Sequence, residues 1–252
     1  MYQREIYNNL VSSRQKGSKK FAILLDPDKL KLSNIEEVAS KAADSGVDYF
    51  LIGGSLVVSD MLDKCIEIIK SNTSIPTVLF PGNSYQLSYK ADAILFLSLI
   101  SGRNPELLIG NHVLAAPFLK LSPLEILPTG YLLVDGGVST TVGYISNTMP
   151  IPSSKPDIAV CTAMAGEMLG LKLMYLDAGS GAINHVPFEM VTAVSQTIDL
   201  PVIVGGGIKK PESAYGMAKA GADVIVVGNA IEKDANLIHD LVQAVKNASN
   251  PI

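Results

Sequence analysis

The sequence predicts a (β/α)8 barrel, and three observations carry that prediction. Eight short apolar runs recur along the chain, each continuous rather than alternating, as in strands buried on both faces of a parallel sheet. Helix-length segments separate most of them. Loops rich in glycine follow several of the runs, and two units echo each other: KAADSGVDYFLIGGS (residues 41–55) and MAKAGADVIVVGNA (217–230). A length of 252 residues fits one such domain, 1–252, with an open doubly wound sheet as the runner-up.

The predicted strands are FAILL (21–25), DYFLI (48–52), PTVLF (76–80), AILFL (93–97), YLLVD (131–135), KLMYL (172–176), PVIVG (201–205) and DVIVV (223–227). Between the first two, Ser33 is placed to cap a helix that carries Glu36 and an apolar stripe to Ala43. Asn104 and Pro105 open a helix through Val113, and Pro211 opens one running to Ala220 before Gly221. Residues 187–198 and 231–248 read as two more helices. Residues 136–156, rich in Ser, Thr, Gly and Pro, read as a long binding loop or a solvated excursion.

Hydrophobic residues are 48% of the chain and charged ones 17%, which excludes disorder. A net charge of −4 and the absence of Trp argue against a nucleic-acid partner held through phosphates or base stacking. They leave anionic ligands open, because backbone amides or a metal can hold a phosphate. The N-terminus has no apolar signal segment, and the apolar stretches fall short of the ~18 residues that span a bilayer, so a cytoplasmic location is expected. Cys65 and Cys161 lack CxxC spacing and are expected to be packed, reduced thiols.

In a barrel, chemistry gathers where strands end. The seventh run ends in Gly205-Gly206-Gly207 and the eighth in Gly228-Asn229; glycine lets amides approach an anion closely, and phosphate sites commonly lie there. After the sixth come Tyr175, Leu176, Asp177, Ala178, Gly179, Ser180 and Gly181, with Gly179–Gly181 adding amides and a hydroxyl. Asp177 is a candidate general base, or alternatively a capping residue. Asp26, after the first run, and Ser55, after the second, form a sparse oxygen set suited to Mg²⁺, whose remaining ligands come from substrate phosphates. Asp28 serves either the same site or as a cap.

These motifs, in this order, resemble the geranylgeranylglyceryl phosphate synthase family of prenyltransferases. The likeness runs through LLDPDK (24–29), GGS (53–55), FPG (80–82), YLDAGSGA (175–182), VGGGI (204–208) and VGNAIE (227–232). It implies ether formation between sn-glycerol 1-phosphate and a prenyl diphosphate, geranylgeranyl diphosphate or similar, releasing pyrophosphate. It also implies Mg²⁺ on Asp26 and Ser55, with catalytic roles for Asp177 and Tyr175. Glycerol phosphate would bind along Tyr175–Gly181, Gly206, Gly207, Gly228 and Asn229. The implied fold is a modified TIM barrel whose helix after the third strand is replaced by non-helical chain, and the turn-rich segment after residue 80 suits that. A homo-oligomer, dimer or hexamer, and transient membrane contact for the lipid product are further implications.

Two positions depart from the family pattern. Many members have Glu where this chain has Asp177, so the backbone compensates, a water relays the proton, or Asp177 mainly orients the glycerol. Leu24 stands where one branch has Lys before the LDP motif, which places this chain with the other branch. The competing readings are a sugar-phosphate isomerase or lyase on the same barrel, and a non-catalytic phosphometabolite-binding protein. The first usually needs a strand-end Schiff-base Lys or acid–base pair, and Lys172 lies at the wrong end of its strand.

Overall fold

The computed structural model describes residues 5–28, 32–58 and 61–249. The side chain of Ser33, expected to cap a helix, and Lys29 of the first motif lie outside the described residues. Eight parallel strands close into a barrel in sequence order: β1 (Lys20–Leu25), β2 (Tyr49–Ile52), β3 (Thr77–Leu79), β4 (Ala93–Ser98), β5 (Glu125–Leu133), β6 (Leu173–Asp177), β7 (Val202–Gly205) and β8 (Val224–Val227). Closure is made by β1 on β8, with Lys20 opposite Val224 and Ile23 opposite Val227.

The period-two geometry of each strand sorts its residues into two layers. Ala22, Leu51, Val78, Leu95, Leu133, Tyr175, Ile203 and Val226 fill the barrel interior. Phe21, Ile23, Phe50, Leu79, Leu176, Val204 and Ile225 pack outward against the helices. A strand buried on both faces has no polar face to show, which is why the apolar runs are continuous. Each fully buried aliphatic side chain contributes about 1.5–3 kcal/mol, so the two layers hold the barrel with little help from surface ion pairs.

The helices are α1 (Glu5–Gln15), α2 (Leu32–Ser45), α3 (Leu62–Asn72), α4 (Asn111–Leu121), α5 (Thr141–Ser146), α6 (Pro156–Met168), α7 (Phe188–Thr197), α8 (Pro211–Lys219), α9 (Asn229–Lys233) and α10 (Leu237–Asn247). Helix α1 closes the N-terminal mouth. Its Ile6 and Leu10 enter the interior cluster, and the amides of Ile6 and Tyr7 each donate to one carboxylate oxygen of buried Glu125 at 2.9 Å. Arg14 adds an ion pair to Asp223 at 2.7 Å. No helix follows β3: residues 80–92 are turns and bends.

Five expectations need correction. β5 starts at Glu125 rather than at 131, because Pro128 and Gly130 interrupt its apolar run although both sit in the ladder, opposite Phe96 and Ser98. The segment 231–248 is two helices: the side chain of Asp234 accepts the amide of Asn236 at 3.0 Å and breaks the run. The 136–156 loop is partly ordered by α5, capped by Thr140, and by a bridge between Val134 and Ile151. Of the two thiols only Cys65 is packed, where burial pushes it up to about 12; Cys161 is exposed on α6. Asn104 does cap its segment, accepting the Glu106 amide at 3.0 Å, but Glu106–Gly110 winds as a π-helix before α4. Among the described residues no helix is long and apolar enough to cross a membrane.

Candidate active site

Two cavities meet at the C-terminal mouth of the barrel. The first, of about 570 Å³, has polar strand ends set among apolar walls such as Leu24, Ile208 and Leu237: Asp26, Gly53, Gly54, Ser55, Tyr175, Asp177, Gly179, Ser180, Gly181, Gly206, Gly207, Gly228 and Asn229 line it. The anion-cradle and metal-site candidates thus surround one space. Leu176 and Ala178 do not line it; the alternation of β6 turns their side chains into the layer between barrel and helices.

The glycines are there for close approach. Gly206 has φ +78°, and a Cβ on it would stand 2.5 Å from Asp177 Oδ1 and 2.6 Å from the Gly179 amide. Gly207, at φ +69°, would collide with the Asn184 carbonyl. Gly206→Ala is therefore expected to cost about 1–3 kcal/mol from backbone strain alone. It should also displace Asp177, lowering the melting temperature and turnover together. On the facing side, Ser180 donates to the Asn229 side chain at 3.1 Å, fixing the loops after β6 and β8 relative to each other.

Asp177 is buried, 7% exposed. Its Oδ1 accepts the Gly179 amide at 2.8 Å and its Oδ2 accepts the Tyr131 hydroxyl at 2.5 Å. Burial raises its pKa above the usual carboxylate value, and these two hydrogen bonds only partly oppose that. Each oxygen keeps a lone-pair direction for a substrate hydroxyl. Tyr131 was not singled out in the sequence because the apolar run around it reads as plain strand. Its hydroxyl, seated on Oδ2, fixes the carboxylate that Glu would carry one methylene further out. Tyr175 is also buried, and both phenols have their pKa values raised, by burial first and then by the Asp177 charge.

Asp26 lies across the cavity with its carboxylate against Gly54: a Cβ there would stand 3.4 Å from Oδ2. The Asp28 amide donates to Asp26 Oδ1 at 3.1 Å, and the Asp26 amide donates to Glu232 at 3.3 Å. Asp28 turns its own carboxylate to the Val58 amide at 2.5 Å, so it secures the loop after β2. Four carboxylates, Asp26, Asp177, Glu232 and Asp234, line the cavity against two ammonium groups, Lys209 and Lys233. Among the described residues no three His, Cys, Asp or Glu side chains gather as a metal cage. One carboxylate and one hydroxyl lining the same cavity, Asp26 and Ser55, are donors of the kind a hard cation completed by phosphate oxygens takes.

The second cavity is apolar and runs outward between β4 and α4, lined by Leu87, Ile94, Phe96, Leu99, Leu107, Ala115, Leu119 and Ile145 among others. Gly54, Ser55 and Phe80 line both cavities. Leu107 enters from the π-helical turn, which sequence periodicity does not reveal. Phe118 and Tyr85, close by in sequence, are exposed outside it.

Fold and site together define a (β/α)8-barrel enzyme with a glycine-rich strand-end site and an adjoining apolar groove. Residues 14–248 match the model of the PcrB family, and the chain belongs to that family. It is 55% identical over 245 residues to a geranylgeranylglyceryl phosphate synthase of Chitinophaga pinensis, covering 97% of each chain. It is 54% identical over 236 residues to one of Spirosoma linguale, covering 94% of this chain and 95% of that relative. The solved structure of (S)-3-O-geranylgeranylglyceryl phosphate synthase from Thermoplasma acidophilum, in complex with sn-glycerol-1-phosphate, is similar with a TM-score of 0.92 at 34% identity. That likeness covers 97% of this chain and all of the other.

Proposed function

We propose that this protein is a prenyltransferase that joins sn-glycerol 1-phosphate to a polyprenyl diphosphate, geranylgeranyl diphosphate or a near homologue, through an ether bond. The observation that carries the reading is the meeting, at one strand-end mouth, of a cavity ringed by glycine amides and carboxylates and an apolar groove. A substrate with a diphosphate head and a hydrocarbon tail needs both. Each buried CH2 of the tail contributes about 0.8 kcal/mol before entropic losses. The amides of Gly206, Gly207, Gly228 and Asn229, with Ser180, would take the glycerol phosphate.

Asp26 and Ser55 would hold Mg²⁺ with the diphosphate. When bound, the ion neutralises charge on the departing pyrophosphate. The excess of carboxylates over ammonium groups in the cavity supports this requirement, since two phosphorylated substrates would otherwise enter a negative site. The free glycerol hydroxyl attacks C1 of the prenyl chain while Asp177 takes its proton. Tyr131 holds the carboxylate in place, and Tyr175 walls the polar cavity beside it. The exposed apolar side chains of Val113, Leu114, Phe118 and Leu121 on α4 support assembly into a homo-oligomer. A cytoplasmic enzyme in transient contact with the membrane that receives its product completes the reading.

The test is incubation with sn-glycerol 1-phosphate, Mg²⁺ and prenyl diphosphates of graded length, followed by lipid extraction and mass spectrometry. An ether product is expected with at least one length. None at any length, from folded protein, would overturn the assignment.

A further inference from the structure

The Phe-Pro-Gly segment at residues 80–82 is used neither by the phosphate cradle nor by proton transfer, yet Phe80 occupies a particular place. It is 8% exposed and lines both cavities. A diphosphate on the polar side and a tail on the apolar side put the carbon that joins them at this partition. Two more rings stand there. Phe80 stacks with Tyr175 at 5.3 Å between centroids and 28° between planes, and lies 6.1 Å from Tyr131. Tyr131 and Tyr175 are 5.5 Å apart.

Resting on the prenyl-transfer reading, we propose that Phe80 is a catalytic residue whose ring stabilises the positive charge developing on the allylic carbons as the diphosphate departs. In that step the C1–O bond to the diphosphate breaks and its electron pair leaves with pyrophosphate. A lone pair of the glycerol hydroxyl forms the new C1–O bond, and the hydroxyl proton passes to Asp177. No oxidant or reductant is involved. Aromatic faces carry negative quadrupole density and attract a cation within about 6 Å of the centroid, most strongly where water is excluded. A ring also suits this position because it cannot trap the cation covalently, as water or a carboxylate would.

The experiment is site-specific replacement of Phe80 by mono-, di- and trifluorophenylalanine, which keeps the shape and drains the quadrupole stepwise. Single-turnover ether formation is measured with geranylgeranyl diphosphate and Mg²⁺. The rate is expected to fall about threefold per fluorine, roughly 30-fold over the series, at unchanged melting temperature and unchanged KM for the prenyl diphosphate. Cyclohexylalanine, of similar bulk without a π face, should lose at least the full factor. A trifluoro protein within twofold of wild type, or a cyclohexylalanine protein faster than the trifluoro one, overturns the role of Phe80 alone. A folded wild-type protein that makes no ether with any prenyl diphosphate overturns the transfer reading, and this proposal with it.

Discussion

Asp177→Asn is expected to lower turnover by about 10²–10⁴-fold, the usual worth of a general base, while glycerol phosphate still binds. Asparagine keeps the shape, its oxygen can accept the Gly179 amide, and its NH2 can donate to the Tyr131 hydroxyl, so the loops around it should hold. The pH dependence sharpens the test. Burial raises the carboxyl of Asp177, so the wild-type rate should fall with decreasing pH through a pKa above the ordinary carboxylate range. The stability linkage has the opposite sense from a salt-bridged Asp. The folded protein holds this proton more tightly than the unfolded chain, so wild-type stability declines as pH rises from the unfolded pKa through the raised folded one. Asp177→Asn has no such proton to lose. The wild-type melting temperature should therefore drop relative to the variant across that window, and parallel melting curves would remove the buried charge from the argument.

Asp26→Asn is expected to reduce Mg²⁺-dependent turnover by about 10³-fold, corresponding to several kcal/mol of charge stabilisation at the leaving group. The asparagine oxygen can still accept the Asp28 amide, so the turn after β1 survives. Calorimetry separates the two halves of the site. Mg²⁺ should strengthen pyrophosphate binding to wild type and not to the variant, whereas glycerol 1-phosphate should bind both alike. A variant that retains the Mg²⁺ effect would take Asp26 out of the metal site. Loss of glycerol phosphate binding would mean that the two halves are not independent.

Most of the barrel was legible because strands buried on both faces must be continuously apolar, and the ends of FAILL or PVIVG lie within one residue of β1 and β7. The exceptions have local causes. Pro128 and Gly130 hide the first half of β5, and a single Asp234 side chain divides what reads as one terminal helix. The gathering of glycine-rich strand ends around one cavity was legible because glycines at strand ends have few other reasons to occur in clusters. Tyr131 and Glu232 were not. Each acts on a residue far away in sequence, Tyr131 on Asp177 and Glu232 on the Asp26 amide, and no spacing rule reports such a pair. Part of the groove was hidden for a different reason: Leu107 and Ala115 have the same chemistry whether they fill a core or line a channel.

The closure of the barrel floor by α1 bears on the order in which the molecule is made. The anchors of this first helix, Glu125 and Asp223, lie 119 and 209 residues downstream of their partners Ile6 and Arg14. The ribosome therefore releases α1 long before its docking site exists, and β1 waits equally for β8. Final assembly must follow synthesis of the last strand, with Ile6 and Leu10 uncovered until then. Amides of α1 should accordingly be among the last to gain protection in pulse-labelled hydrogen exchange during refolding.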